Sequence, residues 1–178
     1  MDVAIGALDT PLGRLAYACT ALGLCGLSFH DTPRARARMR AGLPVVDAPE
    51  RTETVRARLA GYFAGERGDF DLPIDWRHTS GVQREVLEKL YAGVPYGRTV
   101  TYGELAELSG TGVPARAIGT VMGSNPIPIV VPCHRVVAAD GLGGYSGGTG
   151  VEVKRWLLTL EGAMPATLDW DPATGPGA

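Results

Sequence analysis

An α+β fold in two units is predicted by three observations: strand-like stretches near the start, helical periodicity with capping residues after position 80, and a polar, Gly- and Pro-containing stretch between them. Residues 3–8, 14–20 and 23–29 read as short strands, with turn signals at Thr10-Pro11, Gly13 and Leu22-Gly23. On the second strand Leu15, Tyr17 and Cys19 share a face, and on the third Cys25, Leu27 and Phe29 do. Arg34, Arg36, Arg38 and Arg40 follow at spacing two, which spreads charge around a helix surface. Residues 52–65 carry Val55, Leu59, Tyr62 and Phe63 at helical spacing, with Gly65 as a stop. The polar stretch 68–78 is the expected linker, so the first unit spans 1–79.

The second unit spans 80–162. Ser80 caps a helix whose Val82, Val86, Leu87 and Leu90 line one face, ending near Gly93. Thr101 caps a short helix, 102–108, stopped by Gly110. Pro114 fits the first turn of a third, which runs to Met122. Two short helices joined by a Gly-containing turn form a helix-turn-helix. Ala115, Ala117 and Gly119 give the second of them a small-residue face that something can approach closely. A last helix, 151–160, turns Trp156, Leu157 and Leu160 inward. The Pro-, Gly- and Ala-rich tail 163–178 is expected to fray.

Composition excludes several classes of protein. With 178 residues and 45% hydrophobic content the chain can build a sizeable core, and it contains no apolar run long enough to span a bilayer. Its first residues lack the basic and apolar regions of a secretory leader. Three cysteines leave at least one unpaired, which fits a reducing cytoplasm. The net charge is −2, and residues 81–161 carry seven Lys/Arg against seven Asp/Glu. Nucleic acid could therefore be held only by a few well-placed contacts, not by bulk electrostatics.

The segment Pro132-Cys133-His134-Arg135-Val136 follows the apolar run Ile127-Pro128-Ile129-Val130-Val131. A thiol on so apolar a stretch belongs in the interior or on a pocket floor, as an inert small hydrophobe or as a stabilised nucleophile. Three prolines, Pro126, Pro128 and Pro132, exclude a helix and predict a stiff extended presentation of Cys133.

These parts occur in an order that resembles one family. The Thr101-Tyr102 helix start, Ala115-Arg116-Ala117, the stretch from Asn125 to Val136, Gly144-Tyr145-Ser146-Gly147-Gly148 and the closing Leu160-Glu161-Gly162 resemble the O6-alkylguanine-DNA alkyltransferases. The likeness is strong over 80–162 and mainly architectural over 1–79. It implies a ribonuclease-H-like α/β domain packed on a mainly helical domain with a helix-turn-helix. It also implies irreversible transfer of an alkyl group from O6 of guanine, and from O4 of thymine, to Cys133 in flipped-out nucleotides. The partner would be duplex DNA bound through its minor groove by a protein monomer, with no membrane, cofactor or metal involved.

The resemblance implies roles residue by residue. Breaking an aryl–alkyl ether by displacement needs a soft, strong nucleophile, which a thiolate is. His134 would act on Cys133 through a water, and Glu161 would orient His134. Tyr102 would donate toward guanine N3 and the Ser146 N–H toward O6, while the carbonyls of Cys133 and Val136 would read the exocyclic amine. Arg116 would fill the gap left by the flipped base, with Ala115, Ala117 and Gly119 against the sugar-phosphate wall. Asn125 would be the hinge before the Cys133 segment, and Tyr145, Ser146 and Gly147 the pocket wall.

Two features depart from the family pattern or from some of its members. The stretch between Gly148 and Lys154 is longer than the pattern expects. Some relatives carry a zinc, but Cys19, Cys25 and His30 read here as core and surface residues, not a ligand set. Among rival readings, a non-catalytic alkylguanine-binding protein would lack Cys133, a regulator would need a further DNA-binding module, and a cysteine hydrolase would need a second well-placed histidine.

Overall fold

The computed structural model describes residues 1–145 and 150–176. Its first unit is an antiparallel sheet of β1 (Ala4–Thr10), β2 (Gly13–Thr20) and β3 (Gly23–Ser28), in that order. Helix α2 (Pro49–Phe63) covers one face through Val55, Leu59 and Tyr62, which join Leu15, Tyr17 and Cys19 in the main core. Helix α1 (Pro33–Arg40) covers the other, where Met39 packs with Ala16, Ala18 and Cys25. Burial on both faces explains why β2 is apolar at consecutive positions instead of alternating.

Cys25 therefore does not share a face with Leu27 and Phe29, as strict alternation predicted. A bulge opposite Ala18 and Cys19 inserts one residue into β3 and turns Cys25 to the α1 side, where its thiol bonds the Ala18 carbonyl at 3.4 Å. The stretch 68–78 does not behave as a free linker. Leu24 donates to the Pro73 carbonyl and Asp75 N–H donates back to Leu24, each within 3.0 Å, and Phe70 and Leu72 are buried. Of the four arginines on α1, Arg36 is ion-paired with Asp31, while Arg34, Arg38 and Arg40 are exposed.

The second unit is helical. Helix α3 (Gly81–Gly93) buries Val86, Leu87 and Leu90. A two-residue strand β4 (Val100–Thr101) leads into α4 (Tyr102–Ser109), and α5 (Ala115–Gly123) follows after a turn at Gly110. Thr101 accepts from Glu104 N–H and the Glu104 carboxylate accepts from Thr101 N–H, both at 3.1 Å, a reciprocal cap that starts α4 at the residue predicted. Pro114 sits just before α5, capping it instead of entering its first turn. Strand β5 (Val136–Val137) runs parallel to β4, tying the Cys133 segment to the helix-turn-helix.

Helix α6 (Val151–Leu160) closes the core with Val153, Trp156 and Leu157, leaving Leu160 partly buried. The tail that was expected to fray folds back. Trp170 packs on Trp156 with ring centroids 5.6 Å apart, and the Trp156 indole donates to the Thr174 carbonyl at 2.9 Å. Among the described residues no helix is long and apolar enough to cross a membrane.

Candidate active site

The chain between α5 and β5 is not extended. Prolines exclude a helix, but they equally favour tight turns, and residues 127–131 turn on themselves, with Val131 N–H donating to the Ile127 carbonyl at 2.9 Å. Ile129 takes φ 71°, a left-handed conformation unfavourable for a β-branched residue, and is held there by complete burial. Asn125 organises the turn: its carbonyl oxygen accepts from Ile127 N–H at 3.0 Å and its amide donates to the Val131 carbonyl at 2.8 Å. Cys133–Arg135 then form one turn of 3₁₀ helix. Cys133 and His134 are thus rotated about the turn, not placed on opposite sides of a strand.

Cys133 is buried yet lines a cavity of about 550 Å³ where the two units meet. Asn125, Pro128 and Tyr145 line it from the second unit, and Ser28, Arg38 and His78 from the first or its connection. Tyr102 approaches the thiol from elsewhere, half-buried and outside that cavity. Gly143, at φ 72°, lies flat against it, since a Cβ there would come within 2.7 Å of the Tyr102 hydroxyl.

Behind Cys133 stands a closed polar cluster. Glu161, 0% exposed, accepts from His134 Nε2 at 2.7 Å, from Arg135 Nε at 2.8 Å and Nη2 at 3.1 Å, and from the Tyr62 hydroxyl at 2.7 Å. Burial alone would raise the Glu161 carboxyl, but His134 and Arg135 outweigh it and hold the group below the usual carboxylate range. An ionised carboxylate only accepts, so the shared proton sits on His134 Nε2, and in the neutral ring Nδ1 is the acceptor. That Nδ1 is buried with no partner among the described residues.

Burial pushes the Cys133 thiol up, and the Asn125 amide, the Tyr145 hydroxyl and the Lys154 ammonium pull against it. Tyr145 stands close enough to interact with the thiol, though its hydroxyl makes no hydrogen bond of ordinary geometry among the described residues. Arg51 near Cys19 and Arg77 near Cys25 pull in the same direction, but neither thiol is hydrogen-bonded to a side chain among the described residues, and burial carries Cys19 to about 12 and Cys25 to about 11. These two are inert core thiols. Lys154, 0% exposed, donates to the Val136 carbonyl at 2.6 Å and to Gly144 at 3.1 Å, and burial lowers it to about 8.

The residues singled out from sequence fall into two groups. Cys133, His134, Glu161, Asn125, Tyr102, Val136 and Tyr145 surround the thiol or the cluster behind it. Arg116, Ala115 and Gly119 lie exposed on α5, with Ala117 partly so. Ser146 and Gly147 lie outside the described residues. Sequence reading missed Lys154, Arg135 and Tyr62. Lys154 had a signal: it falls three and four residues before the buried Leu157 and Leu158, on the apolar side of α6.

Comparison with known proteins agrees with this layout. Residues 81–163 match the domain described as "6-O-methylguanine DNA methyltransferase, DNA binding domain", and residues 3–76 match that family's "ribonuclease-like domain". A methylated-DNA–protein-cysteine methyltransferase from Mycolicibacterium paratuberculosis is 50% identical over 155 residues, covering 86% of this chain and 89% of the relative. The chain belongs to the 6-O-methylguanine DNA methyltransferase family. The rat methyltransferase of the same name is 39% identical over 168 residues, covering 87% of this chain and 80% of the relative. A Mycobacterium tuberculosis OGT crystallised in complex with DNA superposes with TM-score 0.75 at 37% identity, covering 90% of this chain and 93% of that one. In this family the first unit is the ribonuclease-like domain and the second the DNA-binding domain.

Proposed function

We propose that this protein repairs DNA directly, transferring a methyl or other alkyl group from O6 of guanine to Cys133 Sγ, irreversibly and once per molecule. The observation that carries the reading is a cavity-lining thiol beside a histidine whose Nε2 is held by a buried carboxylate, leaving Nδ1 as acceptor. This is a nucleophile–base–orienter set recognised by its roles.

The sulfur attacks the alkyl carbon, the S–C bond forms, and the C–O6 bond breaks with its electron pair retained by guanine. The thiol proton passes to His134 Nδ1 through a bridging water. The displaced guanine takes the Tyr102 hydroxyl proton at N3, and the tyrosinate regains one from solvent as the His134 imidazolium releases the thiol's proton, so protons and charge balance. Lys154 favours the thiolate by its charge and holds the Val136 carbonyl, which keeps a second lone pair for the exocyclic amine of guanine. The resting thiol is largely protonated because burial outweighs these pulls, so ionisation is coupled to filling of the site.

An alkyl group in stacked duplex DNA cannot reach a buried thiol, so the nucleotide flips into the pocket. The exposed Arg116 takes the vacated position, and the low relief of Ala115 and Gly119 lets α5 lie in the minor groove. Tyr145 forms part of the pocket wall. O4-alkylthymine fits the same chemistry. Three free thiols suit a reducing compartment such as the cytoplasm.

The test is to mix the protein with duplex DNA carrying one O6-methylguanine and take the mass of the Cys133 peptide. A gain of one methyl group, saturating at one per protein and lost in Cys133→Ser, is expected. Tight lesion binding without mass gain would make it a recognition protein instead.

A further inference from the structure

The carboxylate behind His134 is held from both domains. Arg135 and His134 come from the DNA-binding domain, but the remaining donor on Glu161 Oε2 is the hydroxyl of Tyr62, on α2 of the ribonuclease-like domain and 99 residues away in sequence. We propose that Tyr62 is a positioning residue for alkyl transfer: its hydroxyl fixes the Glu161 carboxylate, and through it the orientation and tautomer of the His134 ring.

Three observations carry this. Tyr62 and His134 donate to the same oxygen, each at 2.7 Å, so the carboxylate cannot rotate without losing both bonds. The Tyr62 ring is itself clamped, with ring centroids of Phe63, Phe70 and Tyr96 at 5.2, 5.1 and 6.3 Å, so its hydroxyl is a fixed post. Arg135 grips both carboxylate oxygens while Nη1 is anchored to the Val94 carbonyl at 2.9 Å. Without the Tyr62 hydroxyl, Oε2 has only His134 to balance the arginine. The carboxylate then turns toward Arg135, the His134 bond lengthens, and Nδ1 loses its fixed direction. The ribonuclease-like domain thereby takes part in the chemistry without touching the alkyl group.

This rests on the alkyl-transfer reading, and the two are separable by experiment. Wild-type protein that adds no methyl to Cys133 would sink that reading. Where wild type reacts, Tyr62→Phe removes the hydroxyl alone. The single-turnover rate at saturating lesion duplex is expected to fall roughly tenfold, the size of one hydrogen bond to a charged group. Lesion-duplex affinity should stay unchanged, and the ¹⁵N signals of the His134 ring should move from a single Nε2–H tautomer to a mixture. Tyr96→Phe, whose hydroxyl makes only a 3.4 Å bond to the Leu160 carbonyl at the same junction, should leave rate and signals as in wild type. If Tyr62→Phe lowers thermal stability but keeps the wild-type rate and ¹⁵N pattern, Tyr62 is a domain latch and the proposal falls. Should the phenylalanine variant not fold, 3-fluorotyrosine placed at position 62 keeps the packing and makes the phenol a stronger donor. An unchanged rate there would overturn the proposal equally.

Discussion

Two surfaces of the DNA-binding domain lie on either side of Asn125 and are built on opposite principles. The inner one is saturated: Glu161 has no exposure and each of its oxygens is bonded, one of them by three donors. The outer one, on α5, is bare: Arg116 is exposed, and its neighbours Ala115 and Gly119 carry almost no side chain. Chemistry on a buried thiol needs charges held in place before substrate arrives, because reorganisation in a low dielectric is costly. Groove binding needs a shape that admits any sequence, which small side chains provide. Substitutions on the inner surface should therefore disturb both rate and folding, and those on the outer one only the DNA.

The largest effect is expected from Glu161→Gln. It leaves buried Arg135 with only the exposed Asp69, 3.8 Å away, as counter-ion, so a stability loss of about 3–5 kcal/mol is expected, measurable by denaturant titration. Transfer should fall by about two orders of magnitude or more, as for loss of a positioned acid–base system. The carboxyl is depressed in the folded protein, so the unfolded chain binds the extra proton first as pH falls. The stability that Glu161 contributes is thus complete above about pH 5 and is lost progressively below the ordinary glutamate value of ~4.3. The Glu161→Gln protein should show a flatter acid limb in thermal melts.

An intermediate effect is expected from Lys154→Met. Without the ammonium the Cys133 thiol is harder to ionise, so the alkyl-transfer rate near pH 7 should drop about tenfold and its rising limb should move to higher pH. Lys154 itself loses its proton as pH passes about 8, so the gap between variant and wild type should narrow above that value. A gap that stays constant from pH 7 to 9 would mean that Lys154 acts only through the Val136 and Gly144 carbonyls. Arg116→Ala should do least: stability within about 0.5 kcal/mol of wild type. Lesion-duplex binding, measured by titration, should weaken by roughly 1 kcal/mol, the order of one arginine contact with a base.

Local rules made much of this legible in sequence. The Thr101–Glu104 cap, the span of α6 and the Asn125 turn all follow from residues within a few positions of one another. What escaped depends on register or on distance. Cys25 changes face because of a bulge set by its partner strand, which no single-strand pattern reveals. The prolines before Cys133 were a correct veto on helix, but they do not distinguish an extended run from consecutive turns. Tyr62 looked like one more apolar position on α2, and only packing of the two domains brings its hydroxyl to Glu161. Tail order likewise depends on Trp170 meeting Trp156.

The Tyr62–His134–Arg135–Glu161 cluster cannot form until synthesis of the second domain is almost complete. Its members enter the chain far apart, and Glu161 emerges from the ribosome last, at the end of α6. A nascent chain that has already exposed Cys133 has neither the cavity around the thiol nor the carboxylate bonded to His134. Cavity and cluster come into being together, when the last helix packs on both domains.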